Sequence, residues 1–172
     1  MVPHEGSSRG FQAKVRRALD SDAEAMWRIF QAVIAGGDTY VFASDTSRDV
    51  AIEYFMGPDI SSWVAEIDGE ILGMYKLIAN RRDRGSHVAN ASFMVDPAAQ
   101  GKGVGRAMGE HCLAQATQAG YQAMQFNFVV STNTVAVELW KKLGFSIVAT
   151  LPKAFNHARL GLVDAYVMHR FL

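Results

Sequence analysis

Apolar and polar positions along the chain follow two periods, one near 3.6 residues and one near 2, and the changes between them outline the elements. Ala13 to Leu19 has the short alternation of a first strand. Met26, Ile29, Phe30, Val33 and Ile34 recur at helical spacing behind Ser21-Asp22-Ala23-Glu24, which has the form of a capping box, and Gly36-Gly37 closes that helix. A second helix is expected from Thr46, with Val50, Tyr54 and Phe55 turned inward and an end before Pro58. Trp63 to Ile67 and Ile71 to Ile78 read as a hairpin about Asp68-Gly69, a dipeptide suited to a tight two-residue turn. A polar turn from Asn80 to Ser86 leads to a strand that ends at Val95. Beyond it the pattern predicts a helix from about Gly103 to Ala119, a strand from Ala123 to Val130 and a helix behind Asn133. Two strands follow, Ser146 to Leu151 and Val163 to Phe171. Strands and helices are interleaved throughout, so the chain is of the α/β class, with no internal repeat.

Composition narrows the function classes. The 172 residues suit one domain with a sizeable core, expected over 13–172 behind a flexible, glycine- and serine-rich tail at 1–12. Hydrophobic residues make up 49% and the formal net charge is +0, which excludes a disordered chain and a general affinity for nucleic acid. Arg81-Arg82-Asp83-Arg84 therefore reads as a solvated turn. No apolar run reaches ~18 residues, and the opening residues lack the apolar block of a signal peptide, so no membrane association is expected. A single cysteine, Cys112, rules out an internal disulfide and suits a reducing, cytoplasmic setting. His87, His111 and His169 have no partners at metal-ligand spacing, and no metal is expected.

The most informative chemistry lies between Val95 and Arg106. An apolar strand runs through Asp96-Pro97 into three alternate glycines, Gly101, Gly103 and Gly105, and at once into a helix. Glycines let a backbone wrap a ligand, and a helix start aims unpaired N–H groups and a positive dipole end at it, so the segment reads as a phosphate socket. The P-loop pattern fails because Gly105 is followed by Arg106-Ala107, and the dinucleotide fingerprint fails in both frames. The pattern [QR]-x-x-G-x-[GA] is met in full by Gln100-Gly101-Lys102-Gly103-Val104-Gly105. A second segment, Asn133-Thr134-Val135-Ala136-Val137-Glu138-Leu139-Trp140-Lys141-Lys142-Leu143-Gly144-Phe145, joins a good N-cap to an apolar stripe and a left-handed stop. The two segments and their spacing resemble the GNAT superfamily of acyl-CoA-dependent N-acetyltransferases, from about Val15 to the C-terminus.

That resemblance implies a GNAT fold: a mixed central sheet of about seven strands, helices on both faces, and a splayed pair of parallel strands. It implies acetyl-CoA as co-substrate, without a metal. By the same resemblance, the backbone of Phe93, Met94 and Val95 would hold the pantetheine arm. The loop from Gln100 through Gly101, Lys102, Gly103, Val104 and Gly105 to Arg106 would take the pyrophosphate, each hydrogen bond to a charged group being worth ~1.5–3 kcal/mol. The Lys102 and Arg106 side chains would add charge or merely meet solvent. Asn133 and Trp140 would complete the cofactor side, although Asn133 also has a sufficient role as a helix cap.

Direct attack of an amine on a thioester needs positioning, a route for the amine proton and stabilisation of the developing oxyanion. Family members commonly place a carboxylate on the splayed strand and a tyrosine on the late helix. Here Asn90-Ala91-Ser92-Phe93-Met94 has no carboxylate, and Trp140 stands in the tyrosine's place. The amides Asn90, Asn127 and Asn133, with Trp140, resemble a narrower branch, the proline-analogue (azetidine-2-carboxylate) N-acetyltransferases of fungi and their bacterial relatives. Asn90 and Asn127 are accordingly the candidate catalytic residues, since a carboxamide offers both a donor and an acceptor; the ordinary alternative is a half-buried amide satisfied by backbone. Tyr40, Phe155 and His157 are expected to line the acceptor pocket, from the loop at 38–42 and the segment at 152–157. A site without a strong base suits an amine of lowered pKa: an α-amino group is roughly a quarter neutral at pH 7.4, a lysine about one part in a thousand. The expected acceptor is a small-molecule amine, an amino or imino acid among them. A protein N-terminus or lysine, or a non-catalytic acyl-CoA sensor, are the alternatives, and pairing of two copies is open.

Overall fold

One seven-stranded sheet organises residues 12–172, the part of the chain that the computed structural model describes. The expected tail at 1–12 lies outside the described residues except for Gln12. In chain order the strands are β1 (Lys14–Arg17), β2 (Ser61–Ile67), β3 (Glu70–Ala79), β4 (Val88–Val95), β5 (Ala123–Val130), β6 (Ser146–His157) and β7 (Gly161–Phe171). The helices are α1 (Ala23–Ala35), α2 (Arg48–Met56), α3 (Val104–Gln118) and α4 (Thr134–Lys142). The strand order is β1-β2-β3-β4-β5-β7-β6, and of the neighbouring pairs only β4 and β5 run parallel.

The period-2 alternation explains how both faces are covered. Trp63, Ala65, Tyr75 and Leu77 pack with Val104, Met108 and Cys112 of α3 and Val137 and Trp140 of α4. Their strand neighbours Val64 and Met74 pack on the other face with Met26, Ile29 and Phe30 of α1 and Phe55 of α2. The expected GNAT architecture, a mixed sheet with helices on both faces, is the observed one. Asp68 (φ 52°) and Gly69 (φ 83°) take the two left-handed positions of the β2–β3 turn. Two close approaches locate α3: a Cβ on Gly73 of β3 would come within 2.7 Å of Val104, and one on Gly109 within 2.6 Å of Leu143.

Three local expectations are corrected. The Ser21–Glu24 capping box does not form; the N-cap is Asp22, whose buried carboxylate accepts from the two terminal Arg16 guanidinium nitrogens (2.8 and 3.0 Å) and from the Leu19 amide (2.8 Å). Glu24 meanwhile pairs with Arg48. The second helix starts later, capped by Ser47, whose hydroxyl accepts from the Val50 amide. Ala51 and Phe55 then face the sheet, and Val50 is exposed. Finally, the segment at 152–157 is not a loop but the second half of β6. Pro152 is tolerated there because it lies on the edge strand at the irregularity where pairing with β7 breaks between Leu151 and Phe155, so its missing N–H leaves no ladder bond unmade.

Candidate active site

The parallel strands β4 and β5 pair only at Val88–Ala123 and Ala89–Met124, although both continue for several residues more. Asn90 stands where they part. Its Nδ2 donates to the Gln125 carbonyl at 2.8 Å, so a side chain satisfies the acceptor that the ladder releases. On the α3–α4 side of the fork, the Trp140 indole packs between Phe93 of β4 and Phe126 of β5, its ring centroid 4.8 Å from each. The expected splayed pair is therefore built by one carboxamide at its root and one buried indole between its arms.

Strand parity decides which main-chain groups face the gap. Asp96 donates to the Leu72 carbonyl and Asn80 to the Val88 carbonyl. With the observed register, positions 90, 92 and 94 pair with β3, and those of Ala91, Phe93 and Val95 point into the fork. Of the three residues expected along a pantetheine arm, Phe93 and Val95 present their backbone to the gap. Met94 does not: its main chain serves β3 and its side chain is buried in the α1–α2 core. The Phe93 carbonyl accepts from the Tyr40 hydroxyl at 2.6 Å, which ties the loop before α2 down over the fork.

The glycine loop sits between the β4 end and the α3 N-terminus. Asp96 begins it, accepting from the Ala98 amide (2.9 Å) and held by Arg28 (2.7 Å). Gly101 (φ 79°) and Gly103 (φ 78°) are left-handed, and a Cβ on either would meet nothing within 4 Å, so the space before the loop is open. Gly103 is the N-cap of α3 without a side-chain cap bond, which leaves the amides of Val104, Gly105 and Arg106 without intrahelical acceptors. The Gln100 and Lys102 amides are engaged, by the Pro97 and Ala99 carbonyls. The Arg106 guanidinium lies along the helix against Glu110 at 2.8 Å. Main-chain donors at 101 and 103–106, turned outward at a positive helix end, fit a diphosphate.

Beside the fork opens a cavity of about 420 Å³, lined by Thr39–Phe42, Tyr54, Asn90–Phe93, Phe126–Val130, Asn133, Ala136 and Trp140. Among the described residues, no carboxylate lines it. Asn127 in its wall is held by two carboxamides behind it: Gln125 Nε2 donates to Asn127 Oδ1 (2.9 Å), and Asn127 Nδ2 donates to Asn80 Oδ1 (2.7 Å). Asn127 thus has its oxygen and one N–H engaged and its second N–H left to give, whereas Asn90, whose nitrogen holds Gln125, keeps its oxygen as an acceptor. Burial raises the Tyr40 and Tyr54 phenols above their ordinary range, so both are neutral hydroxyls near pH 7. Asn133 caps α4, accepting from the Ala136 amide at 3.3 Å, and lines the cavity as well.

Two expected pocket residues lie elsewhere. Phe155 is buried behind Phe128, with ring centroids 6.3 Å apart, and does not line the cavity. His157 is buried at the far end of β6, where Nδ1 accepts from the Arg159 and Leu160 amides (3.1 and 3.3 Å) and closes the turn into β7. Continuation of β6 through 152–157 carries both away. Conversely, Ser92 lines the cavity, and Asn80 and Gln125 hold Asn127 from behind it. Gln125 was legible as the period-2 partner of Asn127; Asn80, at the end of a strand, carried no signal.

The arrangement offers acceptor and donor groups in fixed positions and no strong base, so it acts by placement. The chain matches the model of the Acetyltransferase (GNAT) family over residues 24–145. It is 31% identical to N-acetyltransferase aca1 of Schizosaccharomyces pombe, covering 76% of this chain and 71% of that one. It is likewise 31% identical to the L-amino acid N-acetyltransferase AaaT of Escherichia coli, over 66% and 69% of the respective chains. A GCN5-related N-acetyltransferase structure from Kribbella flavida superposes with a TM-score of 0.89 at 43% identity, covering 93% of this chain and 98% of that one. With fork, loop and family match in agreement, the chain belongs to the GNAT family of acetyltransferases, as an N-acetyltransferase.

Proposed function

We propose that this enzyme acetylates the amine of a small amino or imino acid, of the kind that azetidine-2-carboxylate represents. One observation carries the reading: the acceptor side is a cavity of about 420 Å³ beside the fork, with the Tyr40 loop tied to Phe93 at its edge, a size that suits a small amine. The name of the E. coli relative points to the same acceptor class.

Acetyl-CoA supplies an acyl group already activated as a thioester. The amides at 101 and 103–106 hold its diphosphate, and the fork-facing backbone of Phe93 and Val95 guides the arm inward. Asn90 Oδ1 accepts a hydrogen bond from the attacking amine and so aims its lone pair. The remaining Asn127 N–H donates to the acceptor, and the Gln125–Asn127–Asn80 chain keeps that carboxamide from turning. The nitrogen attacks the thioester carbonyl, the C–S bond breaks to release CoA as its thiolate, and water carries the surplus amine proton away while the thiolate takes up a proton from solvent. Release of free thiol from acetyl-CoA, measured over a panel of amino acids, imino acids and peptides, tests the reading. Turnover of small acceptors supports it; turnover of peptides alone would sink it.

We also propose that two copies pair through β6. Both of its faces are exposed at 146–150, with Ile147 and Val148 37% and 57% accessible. An edge strand so apolar is a natural surface for a second copy.

A further inference from the structure

Lys76, in the middle of β3, is the only lysine or arginine that is buried among the described residues, at 6% exposure. It enters none of the ion pairs among those residues. Part of its role is structural. The last turn of α2 would close the Tyr54 carbonyl with the amide of residue 58, but Pro58 has none, and Lys76 Nζ donates to that carbonyl at 2.8 Å. The neighbouring Phe55 carbonyl is served by the Ser62 hydroxyl. A neutral group therefore suffices for this kind of cap, and the buried charge at position 76 calls for a further reason.

The same ammonium lies 3.2 Å from the centroid of the Tyr54 ring. The Tyr54 hydroxyl meets Ser92 Oγ at 2.8 Å, and Ser92 is the β4 partner of Lys76 in the sheet register. Tyr54 and Ser92 both line the acceptor cavity. With Ser92 as the donor of their mutual bond, the Tyr54 hydrogen is the one left to give, whereas a Ser92 hydrogen turned away from Tyr54 has Tyr40 as a partner. Tyr40, the third hydroxyl there, is engaged by the Phe93 carbonyl. Burial lowers the Lys76 pKa to about 8, so the group is still charged at pH 7.

We propose that the Tyr54–Ser92 hydroxyl pair, backed by the uncompensated charge of Lys76, seats the carboxylate of the acetyl acceptor and selects amino or imino acids over amines that lack one. The inference rests on the acceptor being a small molecule. Lys76 acts as a positioning residue, through Tyr54 and through its field. In an effective dielectric of about 20, an ammonium some 7–10 Å from a carboxylate is worth about a ten- to fiftyfold preference.

The test pairs each amino or imino acid with its own carboxamide and compares kcat/KM in the wild type and in Lys76→Met at pH 7. The acid and the amide differ in amine basicity, but that difference belongs to the substrates and cancels between enzymes. The expected result is a fall of tenfold or more in the acid-over-amide ratio of Lys76→Met, through KM for the acid. A ratio within twofold of wild type would overturn the proposal, because loss of a helix cap alone would slow both substrates alike. Should Lys76→Met fail to fold, the double variant Tyr54→Phe/Ser92→Ala removes the hydroxyls without touching the cap, and the same two outcomes decide. If the wild type acetylates peptides and no small acceptor at all, the small-molecule reading itself fails; an unchanged ratio in an enzyme active on free amino acids defeats only the carboxylate seat.

Discussion

At the scale of single residues, the site depends on which atom of each carboxamide is already engaged. Asn90 gives its nitrogen to Gln125 and keeps its oxygen; Asn127 is held on both sides and keeps one N–H. Replacement of either by alanine is expected to lower kcat about ten- to hundredfold, the worth of one hydrogen bond to a charged or developing-charge group. Asn127→Ala should leave the acetyl-CoA dissociation constant near wild type in calorimetry, since it lies off the glycine loop. A normal kcat in both single variants would remove the asparagines from the chemistry. The identities of these residues were legible in the sequence, and so was the lack of a carboxylate on β4. Their orientation was not, because it depends on Gln125 and on Asn80, which lies 47 positions from Asn127 in the chain.

At the scale of elements, two junctions carry the site. The first is the α3 N-terminus. Gly103→Ala places a Cβ in a left-handed conformation at a cost of roughly 1–2 kcal/mol, and the loop is expected to relax so that its amides no longer converge. Acetyl-CoA affinity should fall at least tenfold by calorimetry with only a small loss in Tm; a wild-type dissociation constant would show that the loop does not bind the diphosphate. The second junction is β1–α1. Arg16, through its hydrogen bonds, holds the Asp22 carboxyl below the usual carboxylate range, with the Leu19 amide assisting. A carboxyl with a depressed folded pKa contributes stability that is present above its unfolded pKa of ~3.9 and is lost as pH falls through the folded value. Urea midpoints should therefore drop below about pH 4 in the wild type and vary less steeply there in Asp22→Asn, which should also be destabilised by roughly 3 kcal/mol at pH 7. Periodicity placed α1, β5 and the β2–β3 hairpin well because each is governed by near neighbours. It missed the second half of β6, where a proline reads as a stop, yet an edge position makes it harmless.

At the scale of the whole molecule, β6 and its exposed apolar residues bear on assembly. Sedimentation velocity at micromolar concentration is expected to show a dimer, and a charge at Val148, exposed on the edge strand, to shift it toward monomer; a wild-type monomer at all concentrations would exclude pairing through β6. The cavity is likewise a property of the whole: the loop at 39–42, Tyr54 of α2, the middle of β4, the second half of β5 and the face of α4 with its cap meet there from five separate stretches of chain. The sequence alone determined the order of elements, the glycine loop at the strand-to-helix junction, and the family, because each rests on spacing within a dozen or so residues. Only the tertiary structure decided that Met94 turns away from the fork, that Phe155 and His157 leave the pocket, and that Lys76, an unremarked residue of a strand, lies unpaired beneath Tyr54. Strand parity, edge position and burial of a charge are set by what packs against a residue, and that is fixed only once distant segments have come together.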